Sequence, residues 1–61
     1  MTAIQKITYD SLRSFGYAWK ADDSDGSVFL IDRKTQHTLC LYPNAELYEI
    51  SGGKYRSVTF H

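Results

Sequence analysis

Sixty-one residues make one small domain, near the lower size at which a hydrophobic core suffices without disulfides or metals. Apolar residues form 43% of the chain and aromatic residues 15%, which excludes a disordered segment of high charge and low hydrophobicity. Seven basic and seven acidic side chains cancel, so the chain lacks the broad positive field that supplies most of the affinity of a nonspecific nucleic-acid binder.

The first predicted element is a helix at about residues 3 to 15. Thr2 and Gln5 have the spacing of a capping box, in which the Thr2 hydroxyl accepts from the Gln5 backbone N–H while the Gln5 side chain reaches back. Four apolar side chains then recur at roughly helical spacing: Ile4, Ile7, Leu12 and Phe15. Gly16 supplies the left-handed residue that commonly ends a helix. The segment therefore predicts an amphipathic helix.

Beyond the helix the pattern changes to short runs rich in β-branched and aromatic residues, separated by turn residues. Five runs predict strands: Tyr17 to Asp22, Ser27 to Arg33, Gln36 to Tyr42, Glu46 to Ser51 and Lys54 to Phe60. Asp25-Gly26 and Gly52-Gly53 are dipeptides favoured where both central residues of a hairpin turn need positive φ. The sequence therefore predicts an α+β domain over residues 1–61, an N-terminal helix followed by a four- to five-stranded antiparallel β-meander.

Two-residue turns fix which side chains of a hairpin face each other. A turn at Lys34-Thr35 pairs Asp32 with His37, Leu30 with Leu39 and Val28 with Leu41. A turn at Gly52-Gly53 pairs Glu49 with Arg56 and Leu47 with Val58. Both registers place chemically compatible side chains opposite one another.

The central hairpin is apolar on both of its faces. One face carries Val28, Leu30, Leu39 and Leu41, and the other carries Phe29, Ile31, Cys40 and Tyr42. An antiparallel sheet with one solvated face should instead alternate between apolar and polar side chains. A single short helix covers one side, so we expect the second face to be closed by sheet curling, by a second copy of the chain or by a partner.

Tyrosines extend this second face, because Ile50 faces Tyr55 across the last hairpin and Tyr48 lies on the same side. Tyrosine joins a large apolar ring to a polar tip and is enriched at protein interfaces. The predicted partner-binding residues are Phe29, Ile31, Tyr42, Tyr48 and Tyr55. The same rings could instead complete a small core, and the sequence leaves both interpretations open.

An acidic stretch from Asp22 to Gly26 partly matches a calcium-binding EF-hand loop. The match fails because Ala21 stands at the first ligand position and residues 27 to 32 predict a strand. We interpret the stretch as an acidic hairpin turn. The two histidines, His37 and His61, have no partner at the spacing of a zinc site. No metal and no cofactor are predicted.

Nucleophilic catalysis would require a base beside Cys40. His37 lies three residues earlier on the same predicted strand, so the two side chains point to opposite faces. We interpret His37 as a cross-strand partner of Asp32 and Cys40 as a small buried hydrophobic residue. Neither a Walker nor a Rossmann glycine pattern is present. The sequence predicts no catalytic residues and no enzymatic activity.

The single cysteine rules out a disulfide within the chain and favours a reducing compartment. Residues 1 to 8 lack the apolar run of a signal peptide, and no segment approaches the ~18 apolar residues of a membrane span. These features predict a cytoplasmic protein.

A small, neutral domain without catalytic groups is expected to act by stoichiometric binding to another protein, with homodimerisation through the second sheet face. Accessory proteins of phages and mobile elements act in this way, including inhibitors of host or defence enzymes such as anti-CRISPR proteins. This chain is compared with them only as a small binding protein, and no individual residue carries the comparison. The alternative is a single-stranded nucleic-acid-binding protein, in which bases stack on the sheet aromatics. Its phosphate-binding residues would be Arg33, Lys34, Lys54 and Arg56. Zero net charge and the acidic first hairpin favour the protein partner.

Overall fold

The computed structural model describes residues 1–59, which form one helix and one five-stranded antiparallel sheet. The elements are α1 (Ala3–Ser14), β1 (Tyr17–Asp22), β2 (Val28–Asp32), β3 (His37–Leu41), β4 (Leu47–Ser51) and β5 (Lys54–Ser57). The strands lie in the sheet in chain order. The predicted α+β fold, a helix followed by a meander, is confirmed. The predicted end of the last strand at Phe60, like His61, lies outside the described residues.

The capping box forms as predicted at the start of α1. Thr2 Oγ1 accepts from the backbone nitrogen of Gln5 at 3.1 Å, and Gln5 Oε1 accepts from the backbone nitrogen of Thr2 at 3.1 Å. The Thr2 hydroxyl also donates to the carbonyl of Pro43 at 2.5 Å. The first turn of the helix is therefore tied to the β3–β4 loop.

The predicted hairpin registers are confirmed. Asp32 pairs with His37, Leu30 with Leu39 and Val28 with Leu41, and Glu49 pairs with Arg56. The β2–β3 loop has four residues rather than two, with Gln36 at a φ of 62°. Because it is lengthened by one residue from each strand, the register is unchanged. Gly52 and Gly53 both have positive φ, as a two-residue hairpin turn requires.

A leucine-rich core lies between α1 and one face of the sheet, which we call the covered face. Its buried members are Leu12, Val28, Leu30, Leu39, Leu41 and Leu47. Tyr9, Tyr17 and Val58 pack against them and are partly buried. Leu12 is the member that α1 contributes, and the other five come from the sheet.

Helix α1 buries a different side from the one that its apolar spacing suggests. Leu12 is buried, but Ile4, Ile7 and Phe15 are 55%, 68% and 65% exposed. Gln5 is fully buried instead, and its Nε2 donates to the carbonyls of Gly26 at 2.9 Å and Leu41 at 3.0 Å. These bonds, with the bond to Thr2, satisfy the buried amide. Anchoring Gln5 on the sheet turns Ile4 and Ile7 outward.

The β1–β2 turn packs closely against the β3–β4 loop. Gly26 has a φ of 91°, and a Cβ at that position would lie 3.2 Å from Cγ of Pro43. Glycine adopts a positive φ without strain, and because it has no Cβ it allows the close approach of the Pro43 ring. Within residues 1–59, no helix has the length and apolar character needed to cross a membrane.

Candidate functional site

The sheet face opposite α1, which we call the open face, carries two rows of side chains that cross all five strands. One row runs through Ala21, Phe29, Cys40, Tyr48 and Ser57. The other row runs through Ala18, Ile31, Thr38, Ile50 and Tyr55. Strand alternation therefore gathers aliphatic and aromatic side chains into one surface.

Side chains on the open face range from buried to half exposed. Cys40 is buried, Phe29, Ile31 and Tyr48 are half-buried, and Tyr55 is 52% exposed. Burial in the apolar surroundings raises the pKa of the Cys40 thiol, so the small hydrophobic role predicted for it fits its position. Among residues 1–59, no helix or strand forms a second layer over this face.

A tyrosine pair forms one end of the open face. The rings of Tyr42 and Tyr48 meet edge to face, with centroids 5.2 Å apart. The Tyr48 hydroxyl donates to Glu46 Oε2 at 3.0 Å, and this bond to a carboxylate raises the pKa of Tyr48. Asn44 Nδ2 donates to the other carboxylate oxygen of Glu46 at 3.1 Å. With Pro43, these residues line a shallow cavity of about 410 Å³.

All five predicted partner-binding residues lie on the open face or at its end. Phe29 and Tyr48 belong to one row, and Ile31 and Tyr55 belong to the other. Tyr42 follows β3 and joins them through its ring contact with Tyr48. The alternation of side chains between the two faces of each predicted strand therefore identified residues that lie on one contiguous surface.

The four predicted phosphate-binding cations do not belong to the rows of the open face. Arg56 pairs with Glu49 and Lys54 with Ser51, which places both cations on the covered-face side of the last hairpin. Arg33 and Lys34 lie in the β2–β3 loop. Lys54 and Arg56 border a surface cavity with Tyr55 at the β5 edge, but they do not line the cavity of Tyr42 and Tyr48.

A polar cluster on the covered face was not predicted. The Tyr17 hydroxyl lies 2.6 Å from His37 Nδ1, and His37 Nε2 lies 2.8 Å from Glu49 Oε2. Glu49 also forms an ion pair with Arg56 through Oε1. The cluster links β1, β3, β4 and β5 and lines an open depression of about 700 Å³. Both ring nitrogens of His37 are thus already hydrogen-bonded.

Hydrogen bonding and burial shift two pKa values in this cluster. The hydrogen bond with His37, followed by the contact with Arg56, lowers the pKa of Glu49. Partial burial and then the carboxylates of Asp32 and Glu49 raise the pKa of Tyr17. The Tyr17 phenol and the His37 ring thus share a hydrogen bond that joins β1 to β3.

The predicted cross-strand pairing of His37 with Asp32 is confirmed, and the two side chains form their hydrogen bonds with other groups. The two residues face each other in register, but Asp32 Oδ1 accepts from the backbone nitrogen of Lys34 at 3.0 Å. The His37 ring bonds to Tyr17 and Glu49 instead. The contact between His37 and Glu49 is diagonal, because the β3–β4 alignment places Leu39 opposite Glu49. No two-residue turn joins β3 to β4, so turn chemistry did not fix this alignment.

The acidic stretch forms the β1–β2 turn. Asp25 Oδ1 accepts from the backbone nitrogen of Ser27 at 2.9 Å, and this bond lowers the pKa of Asp25. Asp23 Oδ1 accepts from the backbone nitrogen of Ser24 at 2.7 Å. Across the described part of the chain, no group of three or more histidine, cysteine or acidic residues is arranged to hold a metal ion.

Comparison of the chain with protein-family models, with curated proteins and with solved structures finds no match. The surfaces of the molecule are therefore the basis for a functional proposal.

Proposed function

We propose that this chain is a non-enzymatic, cytoplasmic protein-binding module that contacts its partner through the open face. The observation that supports this proposal is the pair of side-chain rows that cross five strands with no second layer among residues 1–59. The largest apolar patch on a typical monomer covers roughly 300–600 Å² and is often functional. On the open face, Phe29, Ile31, Tyr42 and Tyr48 are half-buried and Tyr55 is 52% exposed, so these apolar and aromatic side chains form one partly exposed patch.

The composition of the open face suits a protein partner. Tyr42, Tyr48 and Tyr55 present apolar ring surface together with hydroxyl groups at their tips. Tyrosine has few rotatable bonds, so a tyrosine-rich surface loses little side-chain entropy on binding. The cavity beside Tyr42 and Tyr48 offers a pocket of the kind that receives a single anchoring side chain.

The edges of the sheet are less suited to binding than its face. β1 is interrupted by a bulge between Trp19 and Ala21, where Lys20 is the extra residue. Each of the four residues of β5 is exposed, and two of them, Lys54 and Arg56, are positively charged. Bulges and positive charges are the features that discourage the addition of another strand at an edge. We therefore assign the contact to side chains of the open face.

If the partner is an enzyme, the chain would inhibit it by covering part of its surface, in the way that small phage-encoded inhibitors act on defence enzymes. This extension rests on the class of small, neutral binding proteins and on no individual residue. Lys54 and Arg56 lie beside Tyr55 but away from the Tyr42 and Tyr48 pair, which weighs against the nucleic-acid alternative.

The experiment is affinity capture from the native host, identification of the bound protein and calorimetric titration of the purified pair. Tyr55→Ser and Tyr42→Ser should each weaken binding by about tenfold or more, because aromatic residues dominate interface energetics. The matched control is Trp19→Ser, since Trp19 is 51% exposed but lies on the covered-face side of β1. It should change the affinity by less than about twofold.

Equal loss of affinity in the Trp19 and Tyr55 variants would contradict the assignment to the open face. Titration with labelled single-stranded DNA and RNA at two salt concentrations should give no salt-sensitive binding. Salt-sensitive micromolar binding that Lys54→Ala and Arg56→Ala abolish would replace the proposal with the nucleic-acid alternative.

A further inference from the structure

The cavity at the end of the open face combines the rings of Tyr42 and Tyr48 with the carboxylate of Glu46. The two rings are nearly perpendicular, at 87°, with their centroids 5.2 Å apart. In an edge-to-face pair one ring presents its edge to the other, so that contact leaves both faces of the first ring uncovered. Aromatic faces attract organic cations, and a carboxylate forms charge-assisted hydrogen bonds with them.

Hydrogen bonds within the β3–β4 loop and with β4 hold the Glu46 carboxylate beside the rings. Asn44 Nδ2 donates to Oε1 at 3.1 Å, and the Tyr48 hydroxyl donates to Oε2 at 3.0 Å. The backbone nitrogen of Glu46 donates to Asn44 Oδ1 at 3.0 Å. Each carboxylate oxygen can accept more than one hydrogen bond, so both oxygens keep capacity for a further donor. A carboxylate that is already held in position lowers the entropy cost of binding a ligand.

The end of the molecule that holds this cavity is negatively charged. The β3–β4 loop packs against the β1–β2 turn, where a Cβ at Gly26 would lie 3.2 Å from Cγ of Pro43. Residues 22–26 and 42–46 contain no lysine or arginine. Their carboxylates are those of Asp22, Asp23, Asp25 and Glu46. Because the chain as a whole is neutral, this local excess of negative charge favours a positively charged group at the cavity.

The charge of Glu46 also limits which side chain can cover the cavity. The ion pairs found among residues 1–59 use the carboxylates of Asp10 and Glu49, and none of them uses Glu46. An apolar side chain placed over the cavity would remove water from the Glu46 carboxylate and give nothing in return, which lowers affinity. A cation at the same place compensates the carboxylate for the water that it loses.

We infer that this cavity binds an arginine side chain of the partner protein. The planar guanidinium stacks on a tyrosine ring while its N–H groups donate to the carboxylate oxygens of Glu46. A lysine ammonium is a compact and strongly hydrated point charge without a planar face, so it fits the cavity less well. The inference rests on the proposed function, since it names a side chain with which the partner contacts the open face.

Titration of the protein with Nα-acetyl-arginine amide, followed by NMR spectroscopy, tests the inference. The ring resonances of Tyr42 and Tyr48 should shift, with a dissociation constant on the order of 1–10 mM for so small a ligand. Nα-acetyl-citrulline amide has nearly the same shape without the charge, and it should bind about tenfold more weakly. Nα-acetyl-lysine amide should bind roughly threefold more weakly than the arginine amide.

Variants of the cavity test which groups bind the guanidinium. Glu46→Gln removes the charge at nearly constant size and should weaken binding of the arginine amide about fivefold. Tyr42→Leu removes a ring and should weaken it roughly threefold. The matched control is Asp10→Asn, which changes the net charge by the same amount on α1, outside the cavity. It should leave the affinity unchanged within about twofold, and circular dichroism checks that each variant is folded.

Equal binding of the arginine and citrulline amides overturns the inference, as does an affinity for the arginine amide that Glu46→Gln leaves unchanged. Loss of affinity as large in Asp10→Asn as in Glu46→Gln overturns it too, because the effect would then be one of net charge. A lysine amide that binds more tightly than the arginine amide overturns the choice of arginine.

Titration with the captured partner separates this inference from the proposed function. Glu46→Gln should weaken partner binding about fivefold, and Tyr55→Ser should weaken it about tenfold. Weakening by Tyr55→Ser alone overturns the arginine contact and leaves the open face as the binding surface. Weakening by neither variant, in a protein whose cavity still binds the arginine amide, overturns the assignment of the partner to the open face.

Discussion

Replacing Gln5 with leucine tests how α1 is anchored to the sheet. The substitution keeps side-chain volume roughly constant but removes both donors to the carbonyls of Gly26 and Leu41 and the acceptor for the Thr2 backbone nitrogen. Leaving the buried carbonyl of Leu41 unsatisfied costs about 1–3 kcal/mol, the part-buried carbonyl of Gly26 adds less, and the added apolar burial offsets part of the cost. The expected loss is about 2 kcal/mol.

A loss of this size is large for a chain of 61 residues, whose total stability is expected to be about 3–9 kcal/mol. Urea unfolding followed by circular dichroism measures it, with the slope of the transition as a check on two-state behaviour. Thr2→Ala is the matched control, because it removes the cap hydroxyl and the bond to Pro43 but keeps Gln5 in place. It should cost about 1 kcal/mol. A loss below 1 kcal/mol for Gln5→Leu would refute the anchoring role.

Two further predictions concern the polar cluster and the β1–β2 turn. The pKa of Glu49 is lower in the folded than in the unfolded chain, so its contribution to stability is present above the unfolded pKa and is lost as the pH falls through the folded pKa. Glu49→Gln should therefore reduce the loss of stability that the protein shows below about pH 5. Urea unfolding at several pH values measures this change. Gly26→Ala should lower the free energy of unfolding by about 1 kcal/mol more than Gly53→Ala, because both positions have positive φ but only Gly26 meets Pro43.

Each of these two predictions has a contrary outcome. An acid-side stability profile that Glu49→Gln leaves unchanged would mean that the contacts with His37 and Arg56 do not stabilise the ionised carboxylate. Equal losses for the two glycine variants in thermal unfolding would mean that the Pro43 ring moves aside without cost.

Local rules predicted much of the fold. Turn dipeptides and strand alternation fixed the registers of two hairpins, and the capping box located the start of α1. The open-face residues followed from the same alternation, because period-two patterning assigns a face once the register is known. Their exposure could not be predicted, since it depends on whether a second layer covers them.

Contacts between residues distant in the chain decided the rest. Gln5 bonds to carbonyls 21 and 36 residues away, and no local pattern indicates that a glutamine rather than an isoleucine faces the core. His37 and Glu49 meet across a hairpin with a longer loop, so their contact depended on an alignment that turn chemistry left open. In both cases a polar side chain finds its partner only in the assembled fold.

The burial of Gln5 and the exposure of Ile4 and Ile7 are two consequences of one arrangement. With Gln5 on the sheet, Ile4 and Ile7 point outward, and the ~1.5–3 kcal/mol that burial of each aliphatic side chain can contribute is not realised in the monomer. A small domain near the lower limit of size has little stability to forgo. The hydrogen bonds that Gln5 donates to the carbonyls of Gly26 and Leu41 are therefore what the fold gains from a helix whose apolar positions face away from its own core.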